Sequence, residues 1–477
     1  MTETTQVFVP RGRFHMMVKP IGPVCNLNCT YCFYLSKENL LQCEGQWRMS
    51  DEVLESFIRQ FIEGQDYPTL SVTWQGGEPT LLGLGFFRKV VALERKYCPQ
   101  TKHIENVLQT NGTLLDDEWC RFLHDNEFLI GLSIDGPPSL HDKYRLDKHG
   151  EPTSGRVLHA AELFHKHGVE FNTLTVVNRT NAKHPLEVYR FLRDEVGARW
   201  IQFIPCVEPK EFARVAPGRW NWDAMPRLGE AAARPSSVDS IVTQWSVDPD
   251  DYGGFLCAVF DEWLLHDVGD VFVANQFEPA ARQWLGLPPL VCAFSTYCGT
   301  ALALEHDGSV YPCDHYVYPE CRLGNIEDEP LSRMVFSWRQ MGFGKSKSTS
   351  LPEYCRRCEV LFACNGECPK NRFIRTPDGE PGLNYLCSGF RTYFNHIDPW
   401  MRLIAGGIRS GSRSTCVDYL GPVAPLPEGR KYALNVVGPV GFQLLYRETH
   451  FPTPRWLSGR RLPERTSFQT STRIMAH

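Results

Sequence analysis

The sequence has no excess of positive charge. Its 477 residues carry 50 Lys and Arg against 55 Asp and Glu, a formal charge of −5. It therefore lacks the basic footprint that a nucleic-acid binder needs, and no nucleic-acid partner is expected. No apolar run approaches the roughly 18–20 residues that cross a bilayer, so no membrane span is expected either. The N-terminus, MTETTQVFVPRGRFH, lacks the charged-then-apolar design of a secretory leader. No internal repeat of fixed period is present. The expectation is a cytoplasmic chain long enough for two or more domains. Cysteine is not scarce, with 18 along the chain. Disulfides are rare in the cytoplasm, so clustered cysteines read as metal ligands.

The first cluster is Cys25-Asn-Leu-Asn-Cys29-Thr-Tyr-Cys32. One short loop thus supplies three thiolates at CxxxCxxC spacing. A 4Fe–4S cube takes four ligands, so a loop of three leaves one iron open to a substrate or cofactor. Tyr31, Phe33 and Tyr34 surround the thiols with aromatic cover, which suits a cluster shielded from water. Zinc held by these thiols and a histidine remains the competing reading of the spacing.

A second block holds eight cysteines, Cys292, Cys298, Cys313, Cys355, Cys358, Cys364, Cys368 and Cys387. Its central run is Cys355-x2-Cys358-x5-Cys364-x3-Cys368. Eight thiolates suffice for two fully ligated 4Fe–4S clusters, and equally for two four-cysteine zinc sites.

Between these blocks, β-rich runs alternate with helical patterns. The spacing predicts strands at His15–Lys19, Leu70–Trp74, Ile104–Gln109, Leu129–Ile134, Phe171–Val176 and Trp200–Ile204. It predicts helices at Ser50–Glu63, Phe86–Tyr97, Asp116–Asn126, Gly155–His167 and Pro185–Val196. Such alternation predicts parallel βαβ units. The fold class is α/β, an open partial (β/α)6 barrel with its site at the strand C-terminal ends, followed by a cysteine-rich metal-binding domain. The expected divisions are an N-terminal extension over 1–13 and a barrel with a connecting insertion over 14–250. A linker helix near Phe255–His266 and the cysteine-rich domain fill 251–404, and a tail of low periodicity covers 405–477.

Six stretches carry a family likeness: MVKPIGPVCNLNCTYCFYL, TWQGGEPTLLG, LQTNGTLL, SIDGP, YPCDHYV and RLGNI. With the two cysteine blocks, the chain resembles radical S-adenosylmethionine (SAM) enzymes bearing a SPASM-type extension. Within these it is most similar to the anaerobic sulfatase-maturating enzymes, over about residues 14–400. The resemblance implies SAM on the open iron held by Cys25, Cys29 and Cys32, and two auxiliary 4Fe–4S clusters. Cys292, Cys298, Cys313 and Cys368 would hold one of these, and Cys355, Cys358, Cys364 and Cys387 the other. It also implies a set of SAM contacts: Gly76, Gly77 and Glu78 to the amino group, Ser133 and Asp135 to ribose or carboxylate, and Arg145 to the carboxylate. Val207 and the backbone of Tyr31 would lie at the adenine. Read alone, Gly76-Gly77 and Asp135-Gly136 are ordinary turns, and Arg145 a surface charge.

Asp314 directly follows Cys313, which ties it beside an auxiliary cluster; a carboxylate so placed can act as general base. Read alone it is a turn aspartate. Gln75 is the candidate for positioning substrate. The implied reaction is oxidation of a Cys or Ser of a sulfatase, in a Cys/Ser-x-Pro-x-Arg motif, to Cα-formylglycine. A flavodoxin- or ferredoxin-type donor would supply electrons under anaerobic conditions. The competing functions are another SPASM-type peptide maturase, a zinc-binding interaction module and an electron carrier. Cys43, Cys98, Cys120, Cys206, Cys257, Cys321 and Cys416 receive no role.

Overall fold

His15-Met-Met-Val-Lys19 contains no turn former, and four of its five side chains are buried. It forms the first strand, β1 (His15–Lys19), at the heart of a ten-stranded sheet. The computed structural model describes residues 11–41, 47–274, 276–409, 434–436 and 442–444. Five further strands follow β1 in chain order and side by side: β2 (Thr69–Trp74), β3 (His103–Thr110), β4 (Leu129–Ser133), β5 (Phe171–Val177) and β6 (Trp200–Pro205). All pair in parallel, with Met17 opposite Thr73, Val72 opposite Asn106, Leu108 opposite Ile130, Leu132 opposite Thr173 and Leu174 opposite Gln202. A parallel neighbour demands a crossover. Here the crossovers are helical: α1 (Asp51–Glu63), α2 (Gly83–Tyr97), α3 (Asp117–Asp125), α4 (Ser154–His167) and α5 (Pro185–Arg190).

The helix starts follow from local chemistry. Ser50 Oγ accepts from Val53 N at 3.2 Å, and Asp116 Oδ1 from Trp119 N at 2.9 Å. Each such cap contributes about 1 kcal/mol. Acidic residues fill both first turns, Asp51 and Glu52 in α1 and Asp117 and Glu118 in α3, where the helix dipole favours them. Beneath the helices, fully buried Trp74 takes the edges of Phe57, Phe86 and Phe87 and donates its indole N–H to Asn106 Oδ1 at 2.7 Å.

The sheet extends beyond the six predicted strands. Strand β7 (Phe272–Ala274) adds in parallel to β6. On the other flank β8 (Ala301–Glu305) lies parallel to β1, with Met17 opposite Ala303 and Lys19 opposite Glu305. Strands β9 (Ser309–Tyr311) and β10 (Gly324–Asn325) continue antiparallel. Three of these four are two or three residues long, too short for a period to show. The fourth, ALALE, is buried on both faces and does not alternate. The cysteine-rich region therefore completes the barrel sheet instead of standing apart from it.

Residues 207–248 run as loop with short turns, clamped to the hairpin β11 (Arg372–Arg375)–β12 (Pro381–Asn384). The clamp is made by Arg375 Nη2 to Trp222 O at 2.7 Å and Leu228 N to Arg375 O at 2.8 Å. Helix α6 (Pro249–His266) crosses α7 (Cys387–Arg409) at Gly253 and Gly389. A Cβ on Gly389 would lie 2.0 Å from Pro249 O, so the crossing requires glycine, and it fixes Cys387 two residues away. Helix α7 runs to Arg409, past the boundary expected at 404; residues 1–10 and most of the tail from 410 lie outside the described residues.

Candidate active site

The cysteine loop leaves β1 at its C-terminal end and is pinned from the far side of the barrel mouth. Asn28 N donates to Leu146 O at 2.8 Å and Thr30 N to Tyr144 O at 2.9 Å. Cys25 Sγ accepts from Leu27 N at 3.3 Å and from Asn111 Nδ2 at 3.8 Å. Burial pushes the Cys25 and Cys29 thiols up to about 12 and raises Cys32 as well; Cys32 is near enough to raise both of the others, and Cys25 to raise Cys29. Among the described residues no three Cys, His, Asp or Glu side chains converge on one metal ion's position. Three sequestered thiols on one loop fit an iron–sulfur cluster, which would hold them as thiolates.

The loop after β2 is stitched to the cysteine loop by backbone alone. Gln75 N donates to Val18 O at 2.9 Å, Gly77 N to Gly22 O at 2.7 Å and Glu78 N to Val24 O at 2.9 Å. A Cβ on Gly77 would lie 1.8 Å from Val24 O, so only glycine permits the approach. The Glu78 carboxylate turns inward. It accepts from Thr80 N (3.1 Å), Thr80 Oγ1 (2.6 Å), Thr110 Oγ1 (2.7 Å) and Asn111 N (2.8 Å). Four donors hold this buried acid, so Glu78 ties the end of β3 to the loop and leaves Gly76 and Gly77 to offer backbone. Gln75 Oε1 is buried with no hydrogen-bond partner among the described residues, an acceptor that a ligand donor can satisfy.

Across the mouth, Asp135 gathers two of the expected residues, Tyr31 and Arg145. Tyr31 Oη donates to its Oδ2, Arg145 Nε stands 3.1 Å from the same oxygen, and Val176 N donates to Oδ1 at 3.0 Å. The Arg145 guanidinium lies 5.5 Å from the centre of the Tyr31 ring and close enough to Cys29 and Cys32 to lower both thiols. Tyr31 thus contributes its side chain to an anchoring network, which its assignment as a backbone contact did not anticipate. Ser133 sits half-buried at the end of β4, and Val207 is buried just beyond β6 with its carbonyl accepting from Lys370 Nζ at 2.8 Å.

Behind Asp135 stands His141, fully buried. Asp135 N donates to its Nδ1 at 3.3 Å, so the proton resides on Nε2, which donates to Thr153 Oγ1 at 3.0 Å; Thr153 in turn donates to Arg145 O at 2.7 Å. Desolvation pushes His141 down to about 4 from 6.5. The unfolded chain takes up this proton below 6.5 and the fold refuses it until about 4. The His141 contribution to stability is therefore complete above 6.5 and lost as pH falls towards 4. Thermal midpoints measured at pH 7 and pH 5 should diverge less for His141→Gln than for the parent; parallel losses would refute this.

Asp314 opens the turn Asp314–Tyr316 directly after Cys313 and is buried. Its carboxylate pairs with Lys19 Nζ, the last residue of β1, whose ammonium lies 4.2 Å from the Tyr34 ring centre. Tyr34 Oη donates to Glu305, delivered by the β1–β8 register. Lys37, also buried, stands 3.3 Å from the Tyr318 ring centre; desolvation pushes it down to about 7, opposed by Glu208, Asp314 and Glu305. Lys370 reaches from the cysteine-rich region to Glu208 at 2.6 Å, 5.6 Å from the Phe33 ring centre. Lys19, Tyr34, Lys37, Glu208, Glu305 and Lys370 were not legible as site residues, because the strand pairing that assembles them is long-range.

The eight cysteines of the C-terminal block fall into two neighbourhoods. In one, Cys313 feels Cys292 and Cys368, Cys292 feels Cys298, and Tyr316 lies beside Cys368, Cys313 and Cys298. In the other, Cys387 feels Cys364, Cys355 and Cys358. Burial raises every one of these thiols.

Comparison with known proteins agrees with this geometry. Residues 20–192 match the radical SAM superfamily and residues 292–359 the SPASM iron-sulfur cluster-binding domain. A serine-type anaerobic sulfatase-maturating enzyme of Bacteroides thetaiotaomicron is 46% identical over 387 residues, covering 81% of this chain and 90% of that protein. A cysteine-type counterpart from Clostridium perfringens is 35% identical over 395 residues, covering 83% and 99%. The solved structure of native anSMEcpe with bound AdoMet superposes with a TM-score of 0.69 at 35% identity, over 82% of this chain and 99% of that one. The same protein with AdoMet and the Cp18Cys peptide also gives 0.69.

Proposed function

As the chain belongs to the anaerobic sulfatase-maturating enzymes of the radical SAM superfamily, we infer that the barrel mouth oxidises a Cys or Ser of a sulfatase polypeptide to Cα-formylglycine, with Asp314 as the general base. It is an oxidoreductase that uses SAM and 4Fe–4S clusters. When bound, these groups supply the one-electron cleavage of SAM, a 5′-deoxyadenosyl radical able to take hydrogen from the substrate Cβ, and a sink for the electron left behind. Cys25, Cys29 and Cys32 would hold the SAM-binding cluster. Cys292, Cys298, Cys313 and Cys368 would hold one auxiliary cluster, and Cys355, Cys358, Cys364 and Cys387 the other.

One observation carries the base assignment. Asp314 is buried beside the first auxiliary set and paired with Lys19 at the end of β1, where the barrel opens. The adjacent ammonium favours the carboxylate form, which can take the proton that the substrate hydroxyl or thiol releases as its carbon is oxidised. Gln75 Oε1 is available to orient the substrate backbone. Gly76 and Gly77 present backbone to the SAM amino group, and Arg145 presents a guanidinium beside Cys29. Ser133, Asp135, Val207 and Tyr31 line the nucleoside side, Asp135 and Tyr31 by holding Arg145 in place.

The reading extends to a Cys/Ser-x-Pro-x-Arg substrate motif, a flavodoxin- or ferredoxin-type donor and a reducing cytoplasmic setting. No helix among the described residues is long and apolar enough to cross a membrane. The test is anaerobic incubation of reconstituted enzyme with SAM, reductant and peptides bearing either motif. Mass spectrometry should show 5′-deoxyadenosine together with a serine peptide lighter by two hydrogens, or a cysteine peptide that has also exchanged sulfur for oxygen. Deoxyadenosine without aldehyde from both peptides would overturn the substrate assignment.

A further inference from the structure

The two C-terminal cysteine sets are joined by one short link, Cys364-Asn365-Gly366-Glu367-Cys368, whose ends belong to different sets. All three intervening residues are left-handed, with φ of 47° at Asn365, 70° at Gly366 and 48° at Glu367. Two of them are not glycine, a conformation that persists only where the surroundings impose it. The run turns three successive carbonyls onto one side chain. Arg372 donates from Nε to Gly366 O at 2.9 Å and from Nη2 to Asn365 O at 3.1 Å and Glu367 O at 3.2 Å; its Nη1 bonds Lys347 O. Lys347, fully buried, donates from Nζ to Cys292 O and to Ala293 O at 2.6 Å.

Both cations are therefore buried and bonded to neutral carbonyls, and among the described residues neither forms an ion pair. The carboxylate that reaches both electrostatically is Glu367, whose Oε2 accepts from Asn371 at 3.0 Å and Asn384 at 2.7 Å. One buried carboxylate cannot balance two buried cations, and uncompensated buried charge is costly, so the pair must also face negative charge of another kind. What surrounds them is sulfur. Lys347 is felt by Cys292, Cys298 and Cys368, all in one set. Arg372 is felt by Cys298 of that set and Cys355 of the other.

We propose that Arg372 and Lys347 are fixed positive charges that raise the reduction potentials of the iron–sulfur groups held by the two C-terminal cysteine sets, Arg372 acting on both and Lys347 on the first. The inference rests on the assignment of these sets to clusters. Thiolate-bound clusters carry net negative charge, and their potentials follow that charge and its surroundings. Reduction adds another negative charge, so a neighbouring cation favours it. A group poised in this way is a better electron acceptor, which an oxidation of substrate requires. Neither side chain is catalytic; both act through the groups they flank.

The test is an EPR-monitored redox titration of the full-length enzyme with Cys25, Cys29 and Cys32 replaced by Ala, so that only the auxiliary signals remain. Arg372→Gln should lower both midpoint potentials. Lys347→Met should lower one and leave the other nearly unmoved. The charge-keeping variants Arg372→Lys and Lys347→Arg should restore values close to the parent. Potentials that stay put on charge removal, or fall equally in the charge-keeping variants, overturn the proposal. Should Arg372→Gln lose its iron, Lys347→Met and Lys347→Arg decide. A parent protein that holds no iron in this background instead defeats the cluster assignment, which is a separate failure.

Discussion

Asp314→Asn is expected to retain all its iron and its SAM cleavage while formylglycine formation falls by about 10²–10⁴-fold, the range for loss of a positioned general base. The carboxamide is nearly the same size and still accepts from Lys19 Nζ, so the buried ion pair of the parent is replaced by a hydrogen bond. The more drastic Asp314→Ala would leave the Lys19 ammonium buried without a partner, at a cost of about 3–5 kcal/mol, and would confuse folding with chemistry. Asn separates the two. Iron and sulfide content reports the clusters, deoxyadenosine reports cofactor cleavage, and peptide mass reports the product. A variant that matures substrate at the parental rate removes Asp314 from the reaction.

Cys25→Ala is expected to abolish deoxyadenosine formation altogether and to lower iron content by about one third, the share of one cube among three. The thiol is woven into the site, accepting from Leu27 N and Asn111 Nδ2. Asn111 N in turn binds Glu78, so the lost sulfur also unsettles the link between the ends of β1, β2 and β3. The C-terminal sets, on separate segments, should keep their iron. Deoxyadenosine above background in this variant would refute the assignment of the three-cysteine loop.

The six inner strands were readable because each is a short buried run, and the first five lead into helical crossovers. Their ends agree with the structure to within about two residues. The outer strands were not, for want of length or alternation. The grouping of cysteines was stated only through family likeness, since spacing alone leaves iron and zinc open. Glu78 shows the limit of a motif: its position is legible, but whether its carboxylate faces a ligand or Thr80, Thr110 and Asn111 depends on how β3 ends. Asp314 was legible through its neighbour Cys313. Its partner Lys19 was not, because nothing in the sequence pairs residues so far apart until β8 lies down beside β1.

That pairing has a consequence for biosynthesis. Strand β1 leaves the ribosome well before its partner β8, which ends only at Glu305. Until then one edge of β1 stays bare, an open template for unwanted strand addition, and the Lys19 ammonium waits without Asp314. The nascent barrel therefore stays unsealed beside its cysteine loop until β8 emerges and lies down along β1.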